Sequence, residues 1–109
     1  MANVYTNAKK NLTNTSATTL YTAPALTTSI IKSILVSEYS GNADTITVTI
    51  TDTASTPVTF SLFKTKAIGA NVTTELLTSP LIVRTGEIIK ITAATENRLQ
   101  VVASILEIS

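Results

Sequence analysis

The chain has 109 residues, 44% of them apolar and only 14% charged, with eight Lys/Arg against seven Asp/Glu for a formal charge of +1. That length is one domain, and the composition has neither the low hydrophobicity nor the high net charge of a disordered chain. Lys9-Lys10 is the only basic pair, so the clustered positive charge of a nucleic-acid footprint is missing and no nucleic acid is expected as a partner.

In chain order, the first expected strand is VYTNAKKNL (4–12), with residues 1–16 left open between an N-terminal arm and a first strand. LYTAP (20–24) reads as a strand end, because Pro24 forces Ala23 towards extended backbone. SIIKSILVSEY (29–39) follows, closed by the turn-prone SGNAD, where Gly41 and Asn42 tolerate positive φ. In TITVTIT (45–51) apolar residues alternate with Thr at every second position, the clearest strand signal of the chain. Pro57 suits the entry to the next strand, VTFSLFK, and the two segments are expected to pair as an antiparallel hairpin. NVTTELL (71–77) and LIV (81–83) are short strands either side of Ser79-Pro80. Gly86 then turns the chain into EIIKITAA (87–94), and RLQVVASILEI (98–108) closes it after a turn at Asn97. No segment keeps a helical period for three turns.

With 22 Thr and 10 Ser, the chain is rich in residues that fit a pleated, half-buried surface. About nine short strands with turn signals between them point to an all-β sandwich or barrel, and the fold expected is a single antiparallel β-sandwich over 17–109, jelly-roll-like or Ig-like. No stretch approaches 18 consecutive apolar residues and the N-terminus lacks a signal-peptide core, so neither a membrane-spanning helix nor secretion is expected.

Cys and His are both absent, which removes thiolate and imidazole chemistry together with the commonest metal ligands. No GxxxxGK[ST], GxGxxG or GxSxG motif occurs, and the acids Glu38, Asp44, Asp52, Glu75, Glu87, Glu96 and Glu107 form no short motif. The acids read as solvated turn residues; no enzyme activity, cofactor or metal is expected. The Thr row suggests ice binding, but that needs several rows in register on one flat face and one good row is visible, so the row is taken as an ordinary solvated strand face. Three tyrosines and no Trp offer little for stacking a sugar.

Two strands are apolar on both sides. Along 29–39, Ile30, Ile34 and Val36 are expected on one face and Ile31, Leu35 and Tyr39 on the other. Along the last strand, Leu99, Val101, Ala103 and Ile105 oppose Val102, Leu106 and Ile108. A domain this small has one core, so the second face needs cover from a loop, the N-terminal segment or another subunit. A subunit contact is favoured, with Ile31, Leu35, Tyr39, Val102, Leu106 and Ile108 as its candidate residues.

The strings LYTAPALTTSIIKSILVSEYSGNADTITVTITD and ELLTSPLIVRTGEIIKITAATENRLQVVASILEIS resemble small virion structural proteins of tailed bacteriophages, of the cyanophage and marine phage type. The resemblance spans 17–109 and rests on Tyr21-Thr-x-Pro24, on Val83 to Ile89 around Gly86-Glu87, and on Ser104-Ile-Leu-Glu107-Ile108. Glu87 stands where Asp is more usual, and residues 1–16 match no part of the pattern. The resemblance implies a β-sandwich repeated on a particle, without catalysis or cofactor and located in a virion assembled in the host cytoplasm. A head decoration or cement role is the favoured implication, with trimers contacting the major capsid protein. A neck, tail or baseplate component, with a host-surface or glycan-binding role, is the alternative.

Overall fold

The computed structural model describes residues 2–109. Nine strands follow in order: β1 (Asn3–Asn11), β2 (Thr18–Thr22), β3 (Thr28–Glu38), β4 (Asp44–Thr51), β5 (Thr59–Ile68), β6 (Thr73–Glu75), β7 (Leu81–Val83), β8 (Ile88–Ala93) and β9 (Leu99–Ile108). Every pairing is antiparallel. One sheet runs β1-β9-β3-β6 with β7 also on β3, and the other runs β2-β8-β4-β5.

This order separates the two sandwich types. An Ig-type sandwich keeps its first two strands as neighbours in one sheet, whereas here β1 pairs the last strand and β2 lies in the other sheet. With β6 and β7 taken as halves of one interrupted strand, eight strands are divided between two four-stranded sheets as interleaved Greek keys, the jelly roll. β4 and β5 form the expected hairpin.

The core is filled by β-branched and Leu side chains from both inner faces: Ile31, Ile34 and Val36 of β3, Ile46 and Val48 of β4, Ile89 and Ile91 of β8, and Leu99, Val101 and Ile105 of β9 are all at most 2% exposed. Leu12 and Ile68 close its ends. Alternation explains which residues of β4 and β9 point inward. In β4 the same alternation sends Thr45, Thr47, Thr49 and Thr51 to the outside, where the Thr51 and Thr59 hydroxyls meet at 2.9 Å.

In β3 the alternation is interrupted. Ile31 pairs with Ile105 but Ser33 with Ser104, so Lys32 is an extra, unpaired residue. A bulge of this kind flips every later residue relative to a plain count of two. Ile31 therefore joins Ile34 and Val36 inside, fully buried, and Ile30 takes its place outside. The expectation that Ile31 sits with Leu35 and Tyr39 on a subunit-facing surface is corrected on that ground.

Glu75 explains how β3 tolerates the break between β6 and β7. Its carboxylate accepts hydrogen bonds from the Ser33 hydroxyl, from the Ile34 amide at 2.8 Å and from the Leu77 amide at 3.2 Å. It thus serves the donors that a continuous neighbouring strand would have served. Burial pushes this carboxyl up, but the hydrogen bonds from Ser33, Ile34, Leu77 and Leu76 outweigh it and hold it below the usual range.

Glu38 does the same work at the end of β3. Burial alone would raise its carboxyl; hydrogen bonds from the Ser40 hydroxyl and from the Asn71, Ser40 and Gly41 amides bring it down to about 2. The turn they fix needs Gly41 at φ 85, in the left-handed region. Because the folded value lies below the ordinary 4.5, the stabilisation is complete above about pH 4.5 and is lost as the pH falls towards 2. Thermal melts are expected to show Tm dropping through that window, and Glu38→Gln is expected to lower Tm at neutral pH and flatten the drop. An unchanged acid profile in Glu38→Gln would contradict the assignment.

Candidate functional site

The outer face of the β1-β9-β3 sheet is assembled by register. Residues paired across antiparallel strands share a face, so Tyr5, Leu106, Ile30 and Ile82 form one row across β1, β9, β3 and β7. Two steps along the strands, Lys9, Val102, Leu35 and Glu75 form a second row across β1, β9, β3 and β6. Between them lies the hydroxyl and amide row Asn7, Ser104 and Ser33. Ile108 stands at one end, opposite Asn3 and Thr28. Tyr39 stands at the other, its hydroxyl donating to Asn11 Oδ1 at 3.3 Å.

These rows are not covered by the chain itself. Tyr5 is 75% exposed, Ile82 51%, Tyr39 45%, Val102 41% and Leu35 38%. Ile30, Leu106 and Ile108 are half-buried. Of the sequence-derived residues, Leu35, Tyr39, Val102, Leu106 and Ile108 lie on this one face, and Ile31 alone points into the core. Ile30, Ile82 and Tyr5 were missed: Ile30 because the bulge was invisible to a count of two, Ile82 and Tyr5 because their strands were too short or too polar to suggest a second apolar face.

The opposite outer surface, on β2-β8-β4-β5, has another character. Lys90 and Thr92 of β8 flank the four outward threonines of β4, with Ser61 and Thr59 of β5 beyond. One outer face is therefore hydroxyl-rich and the other carries apolar rows.

Two other places gather polar side chains. A polar cleft of about 520 Å³ opens between the β4–β5 and β7–β8 loops, lined by Thr28, Asp52, Thr53, Ala54, Arg84, Thr85 and Glu87. Its two acids are engaged in the backbone: Asp52 accepts from the Ala54 and Val58 amides at 3.2 and 2.9 Å, and Glu87 from the Arg84 amide at 2.8 Å. Gly86, at φ 83, completes that turn, and a Cβ there would approach Thr53 Cγ2 to 2.9 Å. The acids fold the loops rather than pair with each other as an acid and a base would.

The second place is a clasp between sheets. Tyr21 of β2 reaches across to β9, its hydroxyl donating to Glu107 Oε2 at 2.5 Å and lying 2.6 Å from Ser29 Oγ. Burial first, and then the hydrogen bond and charge of Glu107, push the phenol up to about 12, so it stays protonated and tied at any ordinary pH. Tyr21 and Glu107, far apart in the sequence, meet here in a structural role. Among the described residues no group of three His, Cys, Asp or Glu gathers to hold a metal ion.

The jelly roll has a solved counterpart. A chain in the structure of infectious bursal disease virus, Gt strain, is similar to this one with a TM-score of 0.52 at 12% sequence identity, over 98% of this chain and 30% of that one. At that identity the likeness is one of fold, and this chain spans less than a third of the virus chain's length. No family description and no curated protein matches the sequence.

Proposed function

We propose that this chain is a non-enzymatic structural protein of a virus particle, more finely a head decoration or cement protein of a tailed bacteriophage. The observation that carries the reading is the pair of apolar rows left uncovered on the outer face of the β1-β9-β3 sheet. Isolated apolar side chains on a surface need no explanation, but large apolar side chains from four strands of one face, in two groups either side of the Asn7–Ser104–Ser33 row, mark a contact surface. The jelly-roll likeness to a chain of a virus structure supports a particle protein, and the engagement of the cleft acids in loop folding favours a role without catalysis. The phage-type resemblance of residues 17–109 supplies the finer placement.

In this reading Leu35, Val102, Leu106, Ile30 and Ile82 pack against a neighbour in the assembled head, either another copy within a trimer or the major capsid protein. Covering a Leu, Val or Ile side chain contributes roughly 1.5–3 kcal/mol when burial is complete. Several such side chains, part-exposed in the free subunit, give the face the means to clamp shell subunits together. Particles assembled without this protein should lose DNA at lower temperature or milder osmotic shock than complete particles, and adding it back should restore them. Equal resistance with and without it would defeat the cement role.

A further inference from the structure

We propose that β1 is a pairing edge for a second copy of this chain, two β1 strands joining antiparallel about Asn7 so that two outer faces become one continuous sheet. This stands on the edge itself and does not require the virion reading.

A sheet edge is a template for another strand, and proteins ordinarily blunt it with bulges, lysines, short strands or breaks. Three of the four edges here are blunted. β2 is five residues long and irregular between Thr19 and Tyr21. β5 has two register shifts and holds Thr65 at φ 49 between Lys64 and Lys66. The β6/β7 edge is broken into two pieces of three residues. β1 carries Lys9 and Lys10 near one end, but it runs nine residues without a register shift or a break, and only its Ala8 is even half-buried.

Its free hydrogen-bonding groups are identifiable. Ser109 N donates to Ala2 O at 3.1 Å and Leu12 N to Leu99 O at 3.0 Å, so the even residues of this segment bond to β9. By the alternation of an antiparallel ladder, Asn3, Tyr5, Asn7, Lys9 and Asn11 then turn their N–H and C=O groups away from β9, towards the open edge.

The sequence of that edge matches itself. A twofold at Asn7 uses all five outward-facing residues of each strand. It sets Asn3 opposite the second copy's Asn11, Asn7 opposite itself, and Tyr5 opposite the second copy's Lys9, an amide–amide and cation–ring arrangement. It also separates the four lysines, whereas centring the pairing on Lys9 or Lys10 would put like charges face to face. The same register joins the outer rows. The row Ile82, Ile30, Leu106, Tyr5 of one copy runs on into Lys9, Val102 and Leu35 of the other, and the Asn7–Ser104–Ser33 row meets its own image. Both apolar rows thereby extend across two subunits, doubling the contact surface offered on one side.

The chain has no cysteine, so single thiols report the register. In the proposed dimer two Asn7 Cα atoms lie about 5.5 Å apart, within disulfide reach, whereas two Asn3 Cα atoms lie ~27 Å apart, eight residues of strand. Asn7→Cys is expected to form a disulfide dimer under mild oxidation and Asn3→Cys to remain reduced. Equal cross-linking of both, or none by Asn7→Cys, overturns the register. Asn7→Pro tests the edge independently of thiol chemistry, because the lost N–H points away from β9. It should keep wild-type Tm and weaken dimerisation roughly 100-fold or more in sedimentation equilibrium, through lost edge bonds and ring clash. A dimer of unchanged affinity in Asn7→Pro rejects the pairing. Lysine substitution of Leu35 and Val102 should leave the Asn7→Cys disulfide intact, so failure of the edge and failure of the apolar face are told apart.

Discussion

Ile31→Ala is expected to lower the unfolding free energy by about 2–5 kcal/mol, and Leu35→Ala, four residues along the same strand, by about 1 kcal/mol or less in the isolated subunit. The contrast follows from the bulge at Lys32. Ile31 is 0% exposed and sits among Ile34, Ile105 and the facing sheet, so truncation leaves a cavity in a close-packed core. Leu35 is 38% exposed on the outer face, where water fills the space an alanine would leave. Urea denaturation of the two variants measures the difference directly, as separate midpoints at a common slope. Equal losses would mean that the two side chains share a face after all.

The second large effect concerns association rather than folding. Leu35→Lys combined with Val102→Lys places two charges in the middle of the apolar rows, on neighbouring strands and directly paired. In the free subunit both ammonium groups reach water, and the fold should persist with Tm within a few degrees of wild type, in keeping with the small cost of exposed substitutions. Against a neighbouring subunit the same charges are buried, the one at 102 beside Lys9 and the one at 35 beside a Glu75 already engaged by Ser33 and two amides, at a cost of several kcal/mol. Since about 1.4 kcal/mol is tenfold in affinity, binding to particles lacking the protein should fall by ~100-fold or more. Retention of the double variant on particles at wild-type occupancy would exclude this face as the contact.

Much of the fold was legible in the sequence, for a clear reason. Strands packed on one core alternate, and β4 and β9 alternate cleanly, so their inward residues could be read from spacing alone. Turn chemistry supplied the boundaries: Gly41 and Gly86 stand at φ 85 and 83, and Asn97, at φ 60, turns the chain into β9. Less legible was the topology, because strand order depends on pairings between residues as far apart as Asn3 and Ile108. The choice between jelly roll and Ig-type sandwich waited for those pairings.

The site was partly legible. The double-sided character of the β3 and β9 segments pointed to a second apolar face, and five of the six residues inferred from it do lie there. The error at Ile31 and the omission of Ile30 have one cause, an unpaired Lys32 that changes the phase of β3. Nothing in SIIKSILVSEY marks that residue: the carboxylate that satisfies the displaced Ile34 amide belongs to Glu75, more than forty positions away. Ile82 and Tyr5 depended equally on register with distant strands. Leu26, 90% exposed at φ 56 in the β2–β3 loop, is a further feature with no forewarning, since leucine rarely occupies left-handed backbone.

Glu38, Glu75, Asp52 and Glu87 carry a more general point. In a chain with few acids and no His, these four are spent on backbone amides at strand ends, breaks and turns, where strand hydrogen bonding stops. That use accounts for their positions at the ends and breaks of strands, and the uncovered face of the β1-β9-β3 sheet is a feature that folding does not explain.

The most direct test is a high-resolution image of the assembled particle with this chain traced in it. The account predicts that Leu35, Val102, Leu106 and Ile82 are buried against a neighbouring subunit. A tracing in which that face looks onto solvent, while the threonine face of β4 or the loop cleft makes the contacts, would contradict it.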